Sequence, residues 1–142
     1  AADISPSLLA IAEARLPASV AGRVNFHHAD MLDDGLGRFD HVVAMDSLIY
    51  YARDDLCAAL ARLRARTGGA IVFTVAPRTP LLMAMWRVGQ LFPRSDRSPS
   101  MVPHTAAGIA SGLRESRVPG RLVPLERITS GFYISQALEH RP

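Results

Sequence analysis

The sequence predicts an α/β fold: a mostly parallel sheet with an antiparallel strand pair at its C-terminal end. Three observations carry this. Helical and strand-like periods alternate from the first residues onward. Two short runs, HVVAM (41–45) and AIVFTV (70–75), are continuously apolar, as strands covered on both faces are. The last two strand-like segments, 121–128 and 132–138, meet at Ser130-Gly131, a hairpin-type junction.

The elements follow in order. Ser5 supplies a capping hydroxyl and Pro6 suits the first helical position, so a helix starts there. Leu8, Leu9, Ile11, Ala12 and Leu16 give it an apolar face, and Pro17 closes it. RVNFHH (23–28) reads as a short strand with Val24 and Phe26 on one face. A Gly-rich, acidic loop leads to Gly37, and Asp40 opens the HVVAM strand, which ends at Asp46. Asp54 and Asp55 begin a helix at the positive end of its dipole. Leu56, Ala59, Leu60 and Leu63 form its buried stripe, and Gly68-Gly69 ends it. After the strand at 70–75, Thr79-Pro80 starts a Met- and Trp-bearing helix through about Leu91. Residues 93–103 form a Pro/Ser/Arg loop, and Thr105 caps a helix to about Ser116. Phe132 and Tyr133 read as strand-core residues.

Composition narrows the function. The chain has 142 residues, 49% of them hydrophobic, which suffices for a core and excludes disorder by composition. No apolar run approaches the roughly 18 to 20 residues that span a bilayer. The single cysteine, Cys57, excludes an internal disulfide, fits a reducing compartment and sits in a helix's apolar pattern, as an inert core thiol does. The net charge is +3, and the basic residues are scattered arginines. Aromatic residues are not interleaved with them, so nucleic acid is not indicated. Arginine does suit an acidic small molecule, because it grips carboxylates bidentately.

The opening residues, AADISPSLLAIAEARL, read as the end of a strand, an acid and a helix. In nucleotide-binding α/β folds an acid at that place holds a ribose, and a glycine-rich turn after the first strand holds the rest. Asp3 is present and the turn is not. The expectation is one partial domain over 1–142, the C-terminal part of a nucleotide-cofactor enzyme, lacking the first strand and its turn. The strands at the start and at 23–28 then form one small pair and the remaining strands another. Apolar edges left open between them predict poor solubility.

FDHVVAMDSLIYY (39–51), FTVAPRTPLLMAMWRVGQLFPRSDRSP (73–99), MVPH (101–104) and TSGFYISQALE (129–139) resemble the magnesium-protoporphyrin IX O-methyltransferases of bacteriochlorophyll biosynthesis. That family belongs to the class I S-adenosylmethionine-dependent methyltransferases. The resemblance covers essentially the whole chain. It implies a Rossmann-like class I methyltransferase sheet. It also implies S-adenosylmethionine as cofactor and methyl transfer to one propionate carboxylate of magnesium-protoporphyrin IX. On the resemblance, Asp3 bonds the ribose hydroxyls and Ile4 packs on the adenine. Asp30 accepts from the adenine amine, Met31 packs on its ring, and Asp46 lines the boundary between cofactor and substrate.

Tyr50 follows the strand that ends at Asp46, on the edge where open α/β sheets bind ligands, and is the first candidate to orient the carboxylate. A ring packing under the substrate helix is the equal alternative. His104 is the second catalytic candidate, against an exposed His at a helix start. Arg78 is a candidate for a second propionate, Arg94 for a gate over the macrocycle, and Met85 for a wall against it. His27 and His28 have no partner at metal-ligand spacing and read as structural, and no resident metal is expected. The substrate's chelatase is a candidate partner. The expected location is cytoplasmic, at the periphery of the photosynthetic membrane. Competing readings are a related methyltransferase for another apolar acid or phenol, and a chain without cofactor binding. A hydride-transferring Rossmann enzyme is disfavoured by the antiparallel ending.

Overall fold

The computed structural model describes residues 1–78, 80–89, 101–130 and 133–142. They fall into two units, Ala1–Gly37 and Arg38–Pro142. In the first, β1 (Ala2–Asp3) pairs in parallel with β2 (His27–His28). The helix α1 (Pro6–Ala14) starts as expected: the Ser5 hydroxyl accepts from the Leu8 N–H, and Pro6 takes the first position. Its apolar face is not buried within this unit, and Leu8 and Ile11 are exposed. The strand expected over 23–28 keeps only its last two residues, and Ala21–Arg23 form a 3-10 turn. A strand is held by its ladder, and β1 offers two rungs. Both histidines are exposed, and His28 Nε2 lies 3.0 Å from the Ile4 carbonyl.

In the second unit, β3 (Val42–Ala44), β4 (Ile71–Val75), β5 (Arg121–Ser130) and β6 (Tyr133–Arg141) form one sheet in the order β3-β4-β6-β5. β3 and β4 are parallel, joined through α2 (Arg53–Ala65). β6 is antiparallel to both β4 and β5. The expected division into a small pair and a larger set is observed, as is the antiparallel ending. The final strand, however, lies inside the sheet and β5 takes the edge. Among the described residues two further helices follow β4, α3 (Pro80–Gly89) and α4 (Ala106–Glu115), the latter capped by the Thr105 hydroxyl on the Gly108 N–H.

The core lies on β4 and the helices beside it. Ile71, Phe73 and Val75 are at most 1% exposed, and Leu138 of β6 is fully buried. Leu56, Ala59, Leu60 and Leu63 form the buried stripe of α2, as their spacing predicts, and Ile109 and Leu113 answer from α4. Each large side chain so buried contributes about 1.5–3 kcal/mol. β3 departs from expectation. Its continuous apolar run implies burial on both faces, yet Val43 is 69% and Met45 56% exposed, and only Ala44 is buried. Val43 and Met45 alternate onto the same face of β3, and that face is exposed among the described residues.

Cys57 is buried as expected, its Sγ 3.8 Å from the Ile109 carbonyl, and burial raises its pKa above the ordinary thiol value. It also sets the spacing of α2 and α4. A Cβ built on Gly112 would come within 2.6 Å of the Cys57 Sγ. Gly112→Ala therefore destabilises the fold by about 1–3 kcal/mol in urea denaturation. Adding Cys57→Ala restores part of the loss.

His140 of β6 is fully buried, and neither ring nitrogen has a hydrogen-bond partner among the described residues. Arg64 is buried too, with its guanidinium on the carbonyls of Gly69 and Thr67. Burial, and after it the Arg64 charge, hold the imidazole below its ordinary value of 6.5. Below about pH 6.5 the unfolded chain takes up a proton that the folded chain refuses. Stability is thus complete above that pH and falls away as pH drops through the lowered folded pKa. Between pH 7.5 and 5.5 the wild type should lose more denaturation free energy than His140→Leu does.

Candidate functional site

In the first unit, β1 and β2 run side by side and their C-terminal ends carry the acids. Asp3 closes β1, and its Oδ1 accepts from the Ser5 N–H at 2.7 Å. Asp30 follows β2, and its Oδ1 accepts from the Leu32 N–H at 2.8 Å. Each carboxylate uses one oxygen to fix its own turn, an arrangement these short side chains favour. The other oxygen has no partner among the described residues. Ile4 stands beside Asp3 and is 73% exposed, while Met31 beside Asp30 is half-buried. The unit thus gathers Asp3, Ile4, Asp30 and Met31 at one end of a parallel pair: two acceptors and two apolar side chains. That set fits a ligand with a diol or amine and a flat ring.

In the second unit, the C-terminal ends of β3 and β4 are neighbours, with Ala44 level with Phe73. Asp46 lies just past β3 with φ +53, one of two non-glycine residues in the left-handed region among those described. That backbone costs most L-residues roughly 1–2 kcal/mol, and Asp tolerates it better than most. Its N–H donates to the Thr74 Oγ1 at 2.8 Å, and the same hydroxyl donates to Asp46 Oδ1 at 3.0 Å. The Tyr133 hydroxyl lies 3.2 Å from Oδ2 and 3.4 Å from Oδ1.

The chain then turns through Ser47–Tyr51. Leu48 and Ile49 are buried and Tyr50 is exposed. Residues 101–104 lace this turn to the end of β4. The Val102 N–H donates to the Ile49 carbonyl, and the His104 N–H donates to the Ala76 carbonyl. The Arg78 N–H donates in turn to the His104 carbonyl at 2.8 Å. The His104 ring is buried, with Nε2 2.9 Å from the Tyr51 carbonyl. It is not the exposed residue of the alternative reading. The side chain of Arg78 is exposed at the same edge. Asp46, Tyr50, Arg78 and His104 are therefore brought to one end of the β3–β4 pair. Arg94 and Phe132 lie outside the described residues, as does the side chain of Met85.

A family model described as the C-terminus of magnesium-protoporphyrin IX methyltransferase matches residues 44–142. The chain belongs to the magnesium-protoporphyrin IX methyltransferase family. It is 52% identical over 142 residues to the magnesium-protoporphyrin O-methyltransferase of Rhodobacter capsulatus, covering all of this chain and 61% of that protein. Against the chloroplastic magnesium protoporphyrin IX methyltransferase of Arabidopsis thaliana it is 27% identical, covering all of this chain and 45% of that one. The crystal structure of the magnesium protoporphyrin IX methyltransferase of Synechocystis PCC 6803 with bound SAH superposes with a TM-score of 0.74 at 24% identity. That match covers 99% of this chain and 62% of the solved one. This likeness shows the fold, that of the class I S-adenosylmethionine-dependent methyltransferases. The chain thus spans about half to three-fifths of the length of its curated relatives.

Within this family member, two residues at the β3–β4 edge escape a reading of the sequence. Thr74 sits in an apolar run and reads as strand filler, but it is 2% exposed and holds Asp46. Tyr133 reads as a core residue, but it is 50% exposed with its hydroxyl on Asp46. It starts β6, whose antiparallel course brings its first residues beside the end of β4. No local pattern joins positions 46, 74 and 133.

The buried tie at His104 is testable. His104→Ala leaves the Tyr51 carbonyl without this partner, at about 1–3 kcal/mol. Amide exchange at residues 48–51 should quicken more than exchange in α2. Equal exchange at both places would show that the turn holds without His104.

Proposed function

We propose that the protein containing this chain transfers a methyl group from S-adenosylmethionine to a propionate carboxylate of magnesium-protoporphyrin IX. The observation that carries the reading is 52% identity, across the whole chain, to a protein named for that activity. The arrangement at β1 and β2 supports the cofactor. On this reading Asp3 holds the ribose hydroxyls with Ile4 against the adenine, and Asp30 takes the adenine amine with Met31 on the ring. When bound, S-adenosylmethionine supplies an electrophilic methyl group on a sulfonium sulfur.

The residues of the chain then have a limited task. A propionate resembles Glu, with a pKa of about 4.3, and is ionised at neutral pH. No strong base is required. What is required is a carboxylate oxygen held in line and shielded from water. Tyr50, exposed at the sheet edge, is assigned to orient it with its hydroxyl. His104 is assigned to hold the turn that carries Tyr50, and Asp46 to line the boundary with the cofactor. Arg78 is assigned to the second propionate. It must not grip the reacting carboxylate, because a strong pairing stabilises a charge that the transition state is losing. Arg94 and Met85 remain assigned to the macrocycle.

Magnesium here belongs to the substrate, and the described residues contain no cluster of three or more metal-ligating side chains. The reading extends to the chelatase as the source of substrate and to a cytoplasmic protein at the membrane surface. No helix of the described residues is long and apolar enough to cross a membrane. Exposed Val88 and Met101 support contact with an apolar surface.

Calorimetry with S-adenosylhomocysteine on the full-length protein tests the cofactor, and methylation of magnesium-protoporphyrin IX tests the substrate. Asp3→Ala and Asp30→Ala should each weaken binding about tenfold. Tyr50→Phe should lower kcat with little change in that affinity. Absence of S-adenosylhomocysteine binding to the wild type would overturn the reading.

A further inference from the structure

We propose that Thr74 and Tyr133 are positioning residues: they set the Asp46 carboxylate at the end of β3, and with it the start of the turn that carries Tyr50. The proposal rests on the methyl-transfer reading of that edge and adds two residues to it.

The ladder of β3 ends at Ala44, so the Asp46 amide needs another acceptor, and its left-handed backbone needs a brace. Thr74 supplies both from the adjacent strand. A hydroxyl has one proton. Here the proton goes to Asp46 Oδ1 at 3.0 Å, and a lone pair receives the Asp46 N–H at 2.8 Å. One buried side chain thus fixes the amide and the carboxylate of a single residue.

Tyr133 acts from the other side, 87 residues further along the chain. Its single proton is shared between Oδ2 at 3.2 Å and Oδ1 at 3.4 Å. The ring is half exposed, so core packing does not explain its place. The carboxylate is then steadied on Oδ1 by Thr74 and across both oxygens by Tyr133. Asp46 itself is exposed, which leaves acceptor capacity on Oδ2 for an incoming N–H or O–H donor. A cationic ligand bearing an ammonium group has the matching chemistry. Without Tyr133 the carboxylate loses one of its two restraints.

A structural role and a positioning role make different predictions. On the full-length protein, Tyr133→Phe should leave the melting temperature within about 2 °C of wild type. It should lower kcat/KM for magnesium-protoporphyrin IX methylation about fivefold or weaken S-adenosylhomocysteine binding by a similar factor. Thr74→Ser keeps the hydroxyl and should retain activity, whereas Thr74→Val should not. The deciding measurement is the double-mutant cycle with Asp46→Gly, which tolerates the left-handed backbone and removes the carboxylate. Tyr133→Phe should cost nothing further once Asp46 is glycine. Additive losses, or wild-type kinetics for Tyr133→Phe in an active protein, would overturn the positioning role and leave the methyl-transfer reading intact. A wild type that neither binds S-adenosylhomocysteine nor methylates the porphyrin would overturn both.

Discussion

The second unit depends on β4. Its first three residues pair with β3 on one side and all five with β6 on the other, and Ile71, Phe73 and Val75 turn into the core. Parallel pairing with β3 puts the ends of both strands at one edge. Antiparallel pairing with β6 brings the start of that strand to the same edge. Asp46, Arg78 and Tyr133 are distant in sequence and become neighbours of this edge through one strand. Thr74, the residue of β4 that touches Asp46, joins the strand's packing role to its positioning role.

Beyond the sheet the edge is irregular backbone, which has no ladder to satisfy it. The segment 101–104 takes over that function. It accepts from and donates to the residues after β4, donates to the turn after β3, and places the His104 ring on the Tyr51 carbonyl. A histidine suits the place because its ring fills volume like an aromatic and can still donate to a carbonyl. His140 shows the opposite condition, a buried ring with neither nitrogen satisfied among the described residues. Burial, and after it the Arg64 charge, push the pKa of that ring down.

The parts legible in the sequence are those with local causes. Ser5 and Thr105 cap helices because a hydroxyl can reach the N–H three residues on, and the stripe of α2 follows from its own spacing. The order of elements follows from apolar periods, and the division of strands between two sheets from the expected lack of the first strand. The acids after β1 and β2 were legible because strand ends are where such folds place them. What was not legible depends on neighbours remote in sequence. Val43 and Met45 belong to an apolar run, and their exposure is decided by what covers their face of β3. His104 is buried by contacts from Tyr51, Ala76 and Arg78. Tyr133 follows an apolar pattern into its strand, and only the sheet order shows that its hydroxyl meets Asp46.

On the proposed reading, this division between local and remote causes follows from the chemistry. A carboxylate nucleophile is ionised before it reaches the enzyme, so proton transfer offers little rate to gain. The gain lies in geometry, and geometry at a sheet edge must be imposed on loops. The residues that impose it need not be acids or bases and carry no motif. Here they are a threonine inside a strand, a tyrosine at the start of another, and a histidine whose ring is turned to a backbone carbonyl. Hydrogen bonds to a strained aspartate and a braced turn are what a site built for alignment requires.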